Sequence, residues 1–129
     1  MTMLSKTTFA QQIRQALENL HDPVFMQNLE LVRQLSSQGQ TVDQCVRRLR
    51  ADLLDVIDSF LPAAIVPPRS KERRPYLLLY GRYVQGMTTG ELVEELSISV
   101  RQLRREHKRA LTTLIDRMWE RVGEQLQEV

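Results

Sequence analysis

The amino-acid sequence predicts an all-α fold, with a three-helix unit in the N-terminal half and a unit ending in one long helix in the C-terminal half. Apolar residues recur at spacings of three and four over almost the whole chain, which places them on one face of a helix. Prolines 62, 67 and 68 interrupt this pattern, because residues before proline avoid helical backbone angles. With 129 residues, of which 42% are apolar, the chain can form one domain, or two small units that pack together.

The N-terminal unit, residues 1–61, is predicted from three apolar stripes. Its first helix begins near Ser5 or Thr7, its second covers residues 25–35, and its third begins at Thr41, whose hydroxyl can cap free backbone N–H groups. The stripes are interpreted as core. They consist of Phe9, Ile13, Leu17 and Leu20 in the first helix, Phe25, Leu29, Val32 and Leu35 in the second, and Val42, Cys45, Val46, Leu49, Leu53, Val56, Ile57 and Phe60 in the third.

The C-terminal unit, residues 71–129, follows an extended connector at residues 62–70. Pro75 fits the first turn of a helix, and Gly86 is expected to end that helix in a left-handed conformation. Its tyrosines lie close to arginines, a combination that also suits stacking on single-stranded bases. The favoured interpretation is that these tyrosines occupy core positions, with their hydroxyls at the surface.

Two short helical patterns separated by a tight turn follow Gly86. Thr88 or Thr89 together with Glu91 is close to a capping box, and Ser99 is placed to cap the next helix. Residues 97–99 are too few for more than a turn. Two helices joined in this way, with apolar residues on their inner faces, are typical of a helix-turn-helix that binds DNA.

Positive charge is concentrated in the same region. Residues 69–109 carry a net charge of +5, whereas residues 1–68 carry −1 and residues 110–129 carry −2. We expect Arg101, Gln102 and Arg105 to face base edges, since arginine pairs with guanine and glutamine with adenine. Phosphate contacts are expected from the remaining candidates. The complete predicted DNA-binding set is Thr88, Thr89, Ser99, Arg101, Gln102, Arg104, Arg105, Lys108 and Arg109.

Residues 79–110 resemble region 4 of bacterial sigma factors and the related domain of LuxR-type regulators. The matching residues are Arg82 to Thr88, Glu91-Leu92, Glu95-Leu96, Ile98-Ser99-Val100 and Arg109-Ala110. The resemblance covers about a third of the chain and implies a four-helix unit whose last helix reads the major groove. Val93 stands where that family usually has alanine, and Ser97 where it usually has glycine. Residues 1–68 do not resemble the sigma region that binds the −10 promoter element, so a complete sigma factor is not expected.

The sequence gives no pattern for catalysis, and we predict that the protein is not an enzyme and uses no cofactor or metal. His21 and His107 are isolated histidines, His107 being interpreted as a phosphate contact or an exposed bystander. Cys45 is the only cysteine and is interpreted as a small core residue. No signal peptide or membrane span is recognisable, which predicts a cytoplasmic protein.

The last predicted helix continues its apolar stripe from Leu111 to Leu126, beyond the length that DNA reading needs. Either the N-terminal helices or a second copy of the chain must cover that stripe. The leading hypothesis is a transcription regulator that binds double-stranded DNA as a homodimer, with the N-terminal unit dimerising or binding a partner. The alternative is a helical adaptor with a degenerate helix-turn-helix, which contacts RNA polymerase or forms the N-terminal part of a larger sensor. RNA binding is a third hypothesis.

Overall fold

The computed structural model describes residues 4–68 and 70–127, with side chains described as far as residue 123. The described part consists of helices joined by turns and loops and contains no β-strand, so the predicted all-α class is confirmed. Its α-helices are α1 (Lys6–Glu18), α2 (Pro23–Gln27), α3 (Glu30–Ser36), α4 (Val42–Asp58), α5 (Arg74–Leu79), α6 (Thr89–Leu96) and α7 (Val100–Gln127). A 3₁₀ turn (Lys71–Arg73) precedes α5, and a π-helical segment (Tyr80–Val84) follows it directly.

The chain divides into two compact units. The first, here the terminal unit, comprises Met1–Leu54 with Ile115–Val129, and the second, the central unit, comprises Asp55–Leu114. This differs from the division at 62–70 that the prolines suggest. Helices α4 and α7 each contribute to both units, so a unit boundary falls inside a continuous helix rather than in the connector.

The second predicted helix is in fact two short helices, which corrects the three-helix N-terminal unit to four helices. Asp22 caps α2 and Pro23 occupies its first turn, as is common at helix starts. The helix then ends because the side-chain amide of Asn28 bonds to the carbonyl of Val24, and Leu29 takes an extended conformation with φ −67° and ψ 136°. Leu29 is still buried, so the apolar periodicity continues through a break in the helix.

In the terminal unit, the distal part of α7 packs against α1. The rings of Phe9 and Trp119 meet edge to face with centroids 5.0 Å apart, and Met118 and Val122 are buried. Lys6 and Asp116 form an exposed ion pair at 2.8 Å. The N-terminal helices therefore cover this part of the stripe, whereas Leu126 lies outside the described side chains.

The central unit places α6 against the π-helical segment through a close approach at Gly81. A Cβ there would lie 2.9 Å from Cδ2 of Leu92, which is itself 1% exposed. The segment ends at Gly86, whose φ of +70° is left-handed as predicted, with the Met87 N–H donating to the Gly81 carbonyl at 2.9 Å. The buried core residues of this unit are Val56, Ile57, Leu78, Leu79, Tyr83, Leu92, Leu103, Ala110, Leu111 and Leu114.

Candidate nucleic-acid interface

Helix α6 begins with a complete capping box. The Glu91 N–H donates to Oγ1 of Thr88 at 3.2 Å, and the Thr88 N–H donates to Oε1 of Glu91 at 3.0 Å. Hydrogen bonding to Thr88 holds the pKa of the Glu91 carboxyl below its ordinary value. Thr88, rather than Thr89, is therefore the cap, and the amides of Thr89 and Gly90 are left as the backbone donors without helical partners at this end.

The turn between α6 and α7 depends on a serine in a left-handed conformation. Ser97 has φ 54° and ψ 45°, the conformation that glycine adopts at low cost. The Ser97 N–H donates to the Glu94 carbonyl and the Ile98 N–H to the Val93 carbonyl, both at 3.3 Å. These two bonds form a Schellman motif, so the turn that glycine would favour is made with serine in its place.

Ser99 caps α7, as its position in the sequence predicts. Its Oγ accepts from the Gln102 N–H at 3.1 Å, and its carbonyl accepts from the Leu103 N–H at 2.9 Å. The side-chain cap at Ser99 fixes where α7 starts and therefore which residues its first turns present to solvent. Leu103 is buried, so the opposite side of the helix faces outward.

Helix α7 presents an exposed surface, here called the basic face, which consists of Arg101, Arg104, Arg105, Lys108 and Arg109. None of these cations forms an ion pair with any residue that the structure describes. Gln102, predicted to face bases, is half-buried at the edge of this surface. The five predicted cations are therefore brought together and exposed, whereas Gln102 is less exposed than predicted.

The basic face is unfavourable for the helix that carries it. The positive end of a helix dipole favours acidic side chains, yet the first turn of α7 contains none and Arg101 lies there instead. Arg105 also has like-charged neighbours four residues away on both sides, Arg101 and Arg109. Such pairs destabilise a helix by about 0.2–0.5 kcal/mol each. Helix stability therefore does not account for this arrangement, whereas a polyanionic ligand would.

The one acidic residue between Arg101 and Arg109 is held away from the basic face. Glu106 forms an ion pair with Arg74 at 3.0 Å, and the two side chains are only 21% and 16% exposed. Because Arg74 neutralises it at the inner edge of α7, Glu106 does little to reduce the positive charge on the exposed side.

His107 is neither an exposed bystander nor a residue of the basic face, which corrects the interpretation from sequence. It is half-buried, and its Nε2 lies 2.6 Å from the hydroxyl of Tyr83, within hydrogen-bond distance. Burial, and then the nearby Arg82 guanidinium, hold the pKa of His107 below its ordinary value. The ring is therefore a neutral structural contact on the inner side of α7.

Arg82 is a candidate that the sequence did not single out as a site residue. Its Nη1 donates to Oγ1 of Thr89 at 3.4 Å, which places a guanidinium at the N-terminal end of α6. The two residues are joined only through the left-handed turn at Gly86, so no helical spacing relates them. Only the resemblance, in which Arg82 begins the matching run, draws attention to this position.

Tyr76 and Tyr80 are half-buried and stack on each other, with ring centroids 5.4 Å apart at 24°. Burial and the nearby Asp58 raise the pKa of the Tyr76 hydroxyl. Both rings line a cavity of about 830 Å³, together with Ser70 and Arg73, whose buried Oγ and Nε form no hydrogen bond with the residues that the structure describes. The pair is thus neither a fully buried core element nor an open stacking surface.

No protein-family model, curated protein or solved structure matches the chain. Within residues 4–68 and 70–127, no group of three or more His, Cys, Asp or Glu side chains is placed to hold a metal ion. No helix in that part of the chain combines the length and the apolar character that crossing a membrane requires.

Proposed function

We propose that the central unit binds double-stranded DNA through a helix-turn-helix formed by α6 and α7, and that the protein regulates transcription by doing so. The observation that carries the proposal is the basic face of α7. Five cations are exposed and form no ion pair within the described chain, and Arg101 lies in the first turn of the helix, where a cation is least favourable. Phosphates would supply the counter-charges that the protein does not.

Within this proposal, α7 lies in the major groove with the basic face toward the DNA. Arg101, Arg105 and Lys108 follow each other at spacings of four and three, so they point in nearly one direction. Arg101 and Arg105 are closest to the start of the helix, the part that enters the groove. They are therefore the first candidates for pairing with guanine O6 and N7. Gln102 is a weaker candidate for base contact because it is half-buried, and Arg104 and Arg109 lie at the two edges of the basic face.

The start of α6 offers a phosphate site on one side of α7. The amides of Thr89 and Gly90 point out of the helix end, and the Arg82 guanidinium bonds to Thr89 beside them. Thr88 supports this site indirectly, by capping α6. Its own N–H is not free for a phosphate because it already donates to Glu91. Phosphate contact here would fix how deeply α7 enters the groove.

The alternative of a helical adaptor with a degenerate helix-turn-helix depends on Val93 and Ser97. Ser97 adopts the left-handed angle required for a Schellman turn, and Val93 is half-buried with its carbonyl bonded in that turn. Neither Val93 nor Ser97, the two positions that differ from the family pattern, disrupts α6 or α7. This observation favours DNA binding over the adaptor. The proposal includes a homodimer, which would need a surface other than the stripe that α1 covers.

Fluorescence anisotropy with a labelled random duplex, measured at two salt concentrations, tests the proposal. Phosphate contacts from Arg82, Arg104, Lys108 and Arg109 would give a slope of log K against log salt of about −3 to −4. Arg105→Ala should relax sequence preference, Lys108→Ala should weaken all sequences alike, and Arg14→Ala, an exposed arginine on α1, should change neither. Absence of binding at low salt, or binding that does not depend on salt, would refute it.

Light scattering on the same samples reports the oligomeric state. A homodimer should bind a duplex carrying two half-sites about one DNA turn apart more tightly than a duplex carrying one. A monomer with equal affinity for both would remove the dimer from the proposal but leave DNA binding intact.

A further inference from the structure

A second basic surface adjoins the basic face, in a groove between α7 and the segment that begins α5. The groove has a volume of about 570 Å³, and we call it the Lys71 groove. Its polar lining consists of Lys71, Arg74, Gln102, Arg105, Glu106 and Arg109, with Thr113 at one end. Since Arg74 neutralises Glu106 within the lining, Lys71, Arg105 and Arg109 leave the groove positively charged.

The contacts of two consecutive residues show that the Lys71 groove and the start of α6 lie on opposite flanks of α7. Glu106 and His107 point about 100° apart around the helix, with the buried stripe between them. Glu106 bonds to Arg74, beside Lys71, whereas His107 bonds to Tyr83 and lies near Arg82. The basic face occupies the outer side between these flanks.

A helix in the major groove has one phosphate backbone on each side, because the groove is only about 12 Å wide. On the side of α7 that faces Arg82, the exposed start of α6 can contact the phosphate backbone of one strand. The opposite flank has Lys71 and Arg109, both exposed and without a carboxylate partner in the described chain. Half-buried Gln102 lines the same groove and adds an amide donor.

We propose that the Lys71 groove binds the phosphate backbone of the second DNA strand, so that the central unit holds the duplex by both backbones. This inference rests on the proposed function and assigns Lys71, which precedes the helix-turn-helix in the chain, to the DNA interface. Lys71 and Arg109 contact phosphates of one strand, and Arg82 with the start of α6 contacts phosphates of the other.

The first test compares salt slopes for single substitutions. Lys71→Ala should make the slope of log K against log salt less steep by about 0.9, the value of one lost phosphate contact. The matched control is Lys6→Ala, an exposed lysine of the terminal unit, which should leave the slope unchanged. An unchanged slope for Lys71→Ala, with Arg105→Ala still weakening binding, would overturn this inference alone; no binding by the unaltered protein would overturn the proposed function.

A duplex with one strand made of uncharged methylphosphonates tests the assignment of strands. On this duplex the protein can bind in either orientation, placing whichever flank is intact on the charged strand. At least one of the substitutions Lys71→Ala and Arg82→Ala should then weaken binding by no more than about twofold, although each costs a full contact on the normal duplex. The double substitution should lose affinity on both duplexes. If both single substitutions weaken binding as much on this duplex as on the normal one, both flanks contact the same strand and the inference is wrong.

Discussion

Replacing Ser97 with glycine should stabilise the protein. Ser97 is exposed and ends α6 with φ 54°, and its Oγ forms no hydrogen bond in the described structure. The left-handed conformation costs an L-residue about 1–2 kcal/mol. Glycine removes that cost but gains about 0.5–1 kcal/mol of conformational freedom in the unfolded chain. The difference between the mid-range values, about 1.5 and about 0.75 kcal/mol, predicts a gain of about 0.75 kcal/mol in the free energy of unfolding.

Thermal and urea unfolding followed by circular dichroism measure this effect. For a chain of 129 residues, such a gain raises Tm by about 2–4 °C. Ser97→Ala is one control, because alanine keeps the strain and should not stabilise. Ser99→Ala is the other, because it removes the cap of α7 and should cost about 1 kcal/mol. A Ser97→Gly protein that is no more stable than the original would show that this turn carries no strain.

Gly81→Ala should destabilise the protein by about 1–2 kcal/mol in urea unfolding, because its Cβ would lie 2.9 Å from Cδ2 of Leu92. Gly90→Ala meets nothing closer than 4.0 Å and should not destabilise, so equal losses would argue against the clash. The free energy of unfolding should decrease as pH falls below about 6.5, because the unfolded state binds the proton at His107 before the folded state does. His107→Gln should weaken this dependence, and an unchanged pH profile would contradict it. Arg105→Gln should raise stability by about 0.4–1 kcal/mol, as it removes two like-charged pairs, while weakening DNA binding; a loss of both stability and affinity would refute that reasoning.

Local signals predicted the helix ends well, because a cap involves residues only a few positions apart. The hydroxyl of Thr41 accepts from the Gln44 N–H at 3.1 Å, and Thr88, Ser99 and Gly86 act as predicted. The break at Asn28 was missed because buried residues continue at helical spacing across it. Apolar periodicity indicated burial only in part: Phe25, which was predicted to be core, is 37% exposed, whereas the neighbouring Met26 is buried.

Contacts between distant parts of the chain could not be predicted in the same way. The proline-rich connector suggested a boundary, but the compact units divide at residues 54/55 and 114/115, within helices. The sequence allowed either the N-terminal helices or a second copy to cover the distal α7 stripe, and the ring contact between Phe9 and Trp119 identifies the former. For the same reason Arg82 and Lys71, whose positions depend on turns and packing, were absent from the predicted site.

The charges on α7 show why a stability argument can support a functional proposal. A sequence selected only for a stable helix would place acids at its start and alternate charges at a spacing of four. Instead, Ser99 caps the helix well while Arg101, Arg105 and Arg109 repel one another along one exposed line, and the one acid between Arg101 and Arg109, Glu106, is paired inward with Arg74. The cap and the buried stripe offset a repulsion that serves no purpose in the free protein. Bound phosphates would remove that repulsion, so the same residues that lower the stability of the free helix would raise its affinity for DNA.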